Sequence, residues 1–146
     1  NRRVMPFSMQ WGYTLPDGRL LINARSETAG EKPLFQDAMR QHRCLIPATN
    51  YFEWEKRGRE KIKYAIRQAD AGLLYMAGLY RVENGRAVFT ILTREPAEQI
   101  RFIHDRMPVI LTSDAKQDWL NLDCDATQIL AQACENVVFC AVNVSC

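Results

Sequence analysis

Long apolar runs are missing from this 146-residue chain, and none approaches the ~18 residues that a membrane-spanning helix requires. No repeat recurs along it and no linker-like stretch divides it, which excludes repeat arrays, collagen-like chains and long disordered tails. Histidine is scarce, with only His42 and His104, and no Cys-x-x-Cys occurs among Cys44, Cys124, Cys134, Cys140 and Cys146. A zinc site needs two close ligand pairs, and His42 near Cys44 is the single near one, so no metal or other cofactor is expected. Five cysteines with this spacing fit a reducing compartment, where they behave as small buried hydrophobes. The first residues, Asn1 to Pro6, hold no apolar stretch of a secretion signal, and a cytoplasmic setting away from membranes is expected.

What is present is 47% hydrophobic and 25% charged residues, the profile of one compact domain. A chain of this length buries roughly two-thirds of its unfolded surface and needs neither metal nor disulfide for a core. Its net charge of +2 conceals an asymmetry: residues 1–67 carry 13 basic and 7 acidic side chains, residues 68–146 carry 6 and 10. The basic part includes Arg2, Arg3, Arg19, Arg25, Lys56, Arg57, Arg59, Lys61, Lys63 and Arg67. These cations either attract a polyanion or are ordinary solvated charges flanking a hairpin.

Alternation dominates the local pattern. Lys61 to Arg67 sets Ile62, Tyr64 and Ile66 against mainly cations, as in a half-buried strand, and pairs with Tyr51–Lys56 across a turn at Arg57-Gly58-Arg59-Glu60. A second hairpin joins Leu73–Val82 to Arg86–Thr93 through Glu83-Asn84-Gly85, whose Asn-Gly tolerates positive φ. Shorter strands are expected at Met9–Tyr13, Leu20–Ala24, Cys44–Pro47, Met107–Leu111 and Val137–Val142. Helices are expected at Leu34–Gln41, at Pro96–Phe102 with proline in its first turn, at Asp114–Asn121 capped by Ser113, and at Ala126–Cys134. The sum is an α+β domain built on a largely antiparallel, curved or barrel-like sheet with short flanking helices.

Three segments are polar where a plain core explanation is strained. Asn23 and Arg25, two apart on a strand end, project to one face and are able to grip a phosphate or sugar; alternatively Arg25 pairs with Glu27. Glu53 alternates with Phe52 and Trp54, so it points away from them; in a pocket, burial would raise its pKa and suit it to proton transfer, whereas on the surface it is an ordinary glutamate. His104 is a general acid/base, an anion contact, or a cap for a helix ending near Phe102.

Leu21 to Thr28, then Cys44-Leu45-Ile46-Pro47-Ala48 leading to Tyr51-Phe52-Glu53-Trp54, then Ile103 to Val109 together resemble the SRAP family, the SOS-response-associated peptidases. Trp11-Gly12-Tyr13 and Thr93 also stand where that family has matching residues, and the resemblance runs from Trp11 to Leu111. It implies a DNA-damage response protein that binds abasic sites in single-stranded DNA. Such proteins cross-link to the lesion through a cysteine exposed at the amino terminus when the initiator methionine is removed by autoproteolysis. An α-amine with a pKa near ~8 is partly neutral and attacks the aldehyde of the opened sugar, and the adjacent thiol closes a thiazolidine.

The resemblance assigns Glu53 as the proton-shuttling glutamate, His104 as acid/base and 3′-phosphate holder, and Asn23 as the residue orienting cysteine and lesion. It assigns Arg25 and Arg106 to DNA phosphates, Thr93 to a polar contact, and Trp54 to stacking beside the lesion. The family begins Met-Cys-Gly-Arg, while no cysteine here precedes Cys44, which has no free amine and is not a substitute. Residues 1–146 are therefore expected to be one SRAP-like domain without the family's amino-terminal segment and extreme carboxy-terminus, inactive in cross-linking as it stands. A monomer is expected. The rival reading is a noncovalent single-stranded nucleic-acid binding module in which Glu53 and His104 are structural; a general peptidase has no legible Ser/His/Asp or Cys/His pairing behind it.

Overall fold

The computed structural model describes residues 4–69, 72–132 and 139–144. Arg2, Arg3, Cys134, Cys146 and the first part of the strand expected from Val137 lie outside the described residues. In chain order the elements are β1 (Gln10–Trp11), β2 (Tyr13–Thr14), β3 (Leu20–Leu21), β4 (Asn23–Arg25), α1 (Ser26–Ala29), α2 (Pro33–Gln41), β5 (Arg43–Ala48), β6 (Tyr51–Arg57) and β7 (Glu60–Gln68). There follow β8 (Leu74–Glu83), β9 (Arg86–Arg94), a 3-10 turn (Glu98–Ile100), β10 (Met107–Pro108), α3 (Ser113–Leu120), α4 (Ala126–Gln132) and β11 (Phe139–Asn143).

Both expected hairpins form. β6 and β7 pair antiparallel with Glu53 opposite Tyr64 and Trp54 opposite Lys63, and β8 pairs with β9 with Glu83 opposite Arg86. Asn84 (φ 49°) and Gly85 (φ 77°) both occupy the left-handed region, as a two-residue turn matched to the strand twist requires.

β9 is the hub of the main sheet. β8 lines one edge, followed outward by β5, while β1 and β4 pair parallel with β9. Where β8 and β9 part, the chain after β10 is inserted between them: Val109 N–H donates to Leu92 O, and Ala77 N–H donates to Val109 O. This splitting curls the sheet. A second sheet, in the order β11-β7-β6, stands apart, and β2 and β3 form a small ribbon.

Alternation along β8 and β9 gives the main sheet two buried faces. Ala77, Leu79, Val88 and Leu92 belong to a core shared with Tyr13, Phe35, Trp119, Ile129 and Leu130, which the helices cover. Leu74, Met76 and Ile91 belong to a second core with Ile66 from β7 and Ile100, Ile103, Met107 and Ile110. At roughly 25 cal/mol per Å² of apolar area, this double burial is the main stabilising contribution. Among the described residues no helix is long and apolar enough to cross a membrane.

Several expected elements differ in detail. Met9–Tyr13 is broken at Gly12 (φ 109°), whose N–H donates to Phe89 O while the chain turns away into β2; a Cβ there would press on Leu20. The helix expected over Pro96–Phe102 is only a 3-10 turn: Ile100 and Ile103 N–H bond three residues back, and the Ala97 N–H, which a first helical turn would also leave without an intrahelical partner, donates to Met107 Sδ. Thr112, not Ser113, caps α3, its hydroxyl accepting from Ala115 N–H at 3.3 Å. α1, formed by Ser26–Ala29, was not expected from sequence.

Candidate active site

The second core opens at one end into a cavity of about 680 Å³ on the face of the main sheet that β6 overhangs. Its floor is Ile46, Met76, Phe89 and Ile91, one from each of β5 and β8 and two from β9. Asn23, Arg25, Glu53, Trp54, Thr93, His104 and Arg106 all line it, together with Trp11, Asn50, Tyr51 and Phe52.

Strand register explains the convergence. The parallel pairing of β4 with β9 sets Asn23 beside Ile91 and Arg25 beside Thr93, with Ala24 turned into the opposite core. Asn23 and Arg25 are therefore on one face and exposed at its rim. Arg25 makes no ion pair among the described residues, and Glu27, its alternative partner, is taken by Arg106. On β6 exposure alternates, so Tyr51, Glu53 and Glu55 turn inward and Phe52 and Trp54 turn outward.

Burial pushes the Glu53 carboxyl above the usual carboxylate range; the nearby His104 ring and a hydrogen bond from the Trp54 amide act the other way, and Asp105 adds to the rise. His104 stands half-exposed in the turn before β10. Its Nδ1 accepts the Arg106 backbone N–H at 3.1 Å and also lies 3.1 Å from Asp105 Oδ1. Nδ1 cannot accept from an amide and donate to a carboxylate together. An amide always carries its hydrogen, so the neutral ring has Nδ1 as acceptor and presents Nε2–H, and the Asp105 contact belongs to the protonated ring. With its ring engaged by Arg106, and the preceding segment reduced to a 3-10 turn, His104 does not act as a helix cap.

Arg106 and Thr93 line the cavity while holding it together. The Arg106 guanidinium meets Glu27 bidentately at 2.7 and 2.8 Å and donates to Thr93 O at 2.7 Å, with its Nε buried and unpartnered. This bond holds the Glu27 carboxyl below the usual carboxylate range. The Thr93 hydroxyl, 7% exposed, donates to Ala24 O at 3.4 Å. Both side chains are braces between β4, α1 and β9 in this structure.

Aromatic groups form the rim. Trp11 stacks on Phe89 with centroids 6.3 Å apart and planes 5° from parallel, and its Nε1–H donates to Ile22 O at 2.9 Å. Tyr51, not singled out from sequence, carries a hydroxyl that is buried without a partner, and its pKa is raised chiefly by burial. Its parity with Glu53 on β6 was the available signal. Cys44 lies in β5 within the core, its thiol pushed up to about 12 by burial, and it is not among the residues that line the cavity. Among the described residues no group of three His, Cys, Asp or Glu side chains converges as metal ligands would.

Comparison with known proteins places these features in a family. The model of the SOS response associated peptidase (SRAP) family matches residues 3–145. The chain is 40% identical over 125 residues to the abasic site processing protein YobE of Bacillus subtilis, covering 77% of this chain and 57% of that one. It is 33% identical over 133 residues to the abasic site processing protein YedK of Escherichia coli, covering 85% and 60%. A crystal structure of a protein from Bacteroides thetaiotaomicron superposes with a TM-score of 0.73 at 31% identity, covering 84% of this chain and 58% of that one. The chain thus spans about three-fifths of the length of these relatives.

Proposed function

The chain belongs to the SRAP family, and on that premise we propose that its cavity receives the sugar of an abasic nucleotide in single-stranded DNA. One observation carries the reading: Asn23, Glu53 and His104, from three distant stretches, line a single cavity with exposed aromatic residues at its rim. A nucleotide without its base leaves room for protein groups at C1′, and the neighbouring bases are free to stack on Trp54 and Trp11.

In this reading Glu53, held protonated to higher pH than a free glutamate, donates a proton as the sugar ring opens to its aldehyde. A neutral α-amine adds to that aldehyde, water leaves, and the thiol of the same residue adds to the imine carbon to close the thiazolidine. The amine and thiol are those of an amino-terminal cysteine. Asn23 orients the reacting groups by hydrogen bonds, and the His104 Nε2–H is directed at the 3′ phosphate or at a departing oxygen. Arg25 takes a DNA phosphate. Arg106 and Thr93 act as positioning residues that fix β4 and, through the Arg106 amide, the His104 ring.

Autoproteolytic removal of an initiator methionine belongs to the same proposal, since it needs the same acid and base beside the terminus. Action on single-stranded DNA implies a cytoplasmic location with the nucleoid, with one cavity per monomer. The names of the relatives, abasic site processing proteins, support the substrate class.

The rival is a noncovalent single-strand binder, favoured by the exposed aromatic rim and the uncommitted Arg25. The protein with its natural amino terminus, mixed with an abasic single strand and then denatured, separates the two. A denaturation-resistant adduct absent with undamaged DNA is expected. No adduct overturns the covalent reading.

A further inference from the structure

The β6–β7 hairpin segregates its charges by face. Pairing Trp54 with Lys63, Phe52 with Ala65 and Lys56 with Lys61 puts Phe52, Trp54, Lys56, Lys61, Lys63 and Arg67 on one side. Glu53, Glu55 and Glu60 all fall on the other, where Glu55 bonds Arg57 and the Tyr64 hydroxyl. The outward side is thus cationic and aromatic, with no carboxylate among its described residues. Lys63 Nζ lies 4.1 Å from the Phe52 ring centroid and 5.7 Å from that of Trp54, while both rings stay nearly half exposed. Lys56, Lys61 and Arg67 are exposed and make no ion pair among the described residues.

Such a face is more than a solvated edge. Lys61 and Lys63, two residues apart on β7, stand about 7 Å apart, a spacing suited to successive phosphates of an extended nucleic-acid strand; Lys56 lies beside Lys61 on the paired strand, and Arg67 continues the row about 13 Å beyond Lys63. Exposed rings between them offer stacking surfaces that do not depend on base identity. The face is also continuous with the cavity, because Phe52 and Trp54 belong to both. We infer that the outer face of the β11-β7-β6 sheet is a track for the single-stranded DNA flanking the cavity, with Lys56, Lys61 and Arg67 meeting phosphates and Phe52 and Trp54 stacking bases. It rests on the proposed function for where the strand leads, and undamaged DNA suffices to test it. Charge complementarity and continuity with the cavity favour this occupant over a protein partner.

The test compares Lys56→Gln/Lys61→Gln/Arg67→Gln with the wild type, both with the natural amino terminus, on undamaged oligothymidines of two lengths. One is long enough to leave the cavity and cross the sheet, the other only a few nucleotides. Each single-strand phosphate contact contributes about 0.7 to the slope of log affinity on log salt, so the variant should lose about 2 from the slope with the long oligonucleotide. The short one should bind with an unchanged slope, and Phe52→Ala should weaken the long one roughly tenfold. An unchanged slope with the long oligonucleotide, or equal losses for both lengths, overturns the track. Thermal melting of the variants at the wild-type midpoint shows that the fold is kept. Because no abasic site is used, failure of cross-linking and failure of the track are read separately.

Discussion

Arg106 and Glu27, 79 positions apart, meet in a bidentate pair at 2.7 and 2.8 Å that ties the turn before β10 to α1, directly after the strand bearing Asn23 and Arg25. The same Arg106 contributes the backbone amide that His104 Nδ1 accepts. One residue therefore sets the spacing between β4 and the histidine, and a bidentate arginine does this more rigidly than a lysine would.

Replacing Glu27 by Gln should cost about 1 kcal/mol, the modest figure set by the solvent access of the carboxylate. The Glu27 carboxyl is held below its ordinary range, so the pair's stabilisation is fully present above the unfolded-state pKa and is lost as pH falls through the lowered folded value. Urea unfolding of wild type and Glu27→Gln across acid pH should show the gap closing toward low pH. A gap independent of pH would mean that the pair contributes through packing rather than charge.

Glu53 should behave with the opposite sign. Its pKa is raised by burial, so its contribution is present below the unfolded-state pKa and is lost as pH rises through the raised folded value. Glu53→Gln should accordingly be at least as stable as wild type at neutral pH, with the wild type gaining on it under acid conditions. Adduct formation with an abasic single strand should slow by roughly 10² to 10⁴ in the variant, the usual loss for a general acid/base. The pH dependence that the raised carboxyl gives the wild type should vanish with it. Unchanged adduct kinetics would remove Glu53 from the chemistry.

Cys44 should be inert in the folded protein. It is 8% exposed, its thiol is pushed up to about 12, and its carbonyl accepts Trp119 Nε1–H at 3.0 Å, so thiolate and access are both lacking. Iodoacetamide at mildly alkaline pH should leave Cys44 unmodified until denaturant unfolds the chain, as mass spectrometry of peptides would show. Fast labelling in native buffer would mean that β5 opens locally.

The two long hairpins were legible because alternation and an Asn-Gly turn are written within a few residues. So was the α+β architecture with its curled sheet. What escaped was settled by contacts distant in sequence. Nothing near Asn23 specifies parallel pairing with Ile91, and nothing near Pro96 specifies that the segment there is a 3-10 turn whose Ala97 N–H meets Met107 sulfur. The polar blocks holding Asn23, Glu53 and His104 stood out because each breaks a local rule of burial. Glu27 did not stand out, since its partner Arg106 is far along the chain and Arg25 was the nearer cation. Tyr51 was hidden by its aromatic neighbours, although strand parity with Glu53 pointed to the same face.

Gly78 tests the packing beneath the cavity floor. It pairs with Cys44 across β5 and with Ile91 across β9, and a Cβ built there overlaps Ile46 Cδ1 and comes within 3.1 Å of Cys44 Sγ and Thr90 O. The Thr90 oxygen is backbone and cannot yield cheaply, while the Ile46 Cδ1 is the end of a side chain that also lines the cavity. Gly78→Ala should therefore destabilise by about 1 to 3 kcal/mol, the usual cost of overpacking a filled core. Adding Ile46→Val removes the overlapping methyl and should return part of that loss, so the double variant should be more stable than the sum of the single changes implies. Denaturant midpoints of the four proteins in that cycle measure the coupling. Strict additivity would show that the strain falls on the backbone at Thr90, and that Ile46 is free to move without cost to the floor on which the lesion would rest.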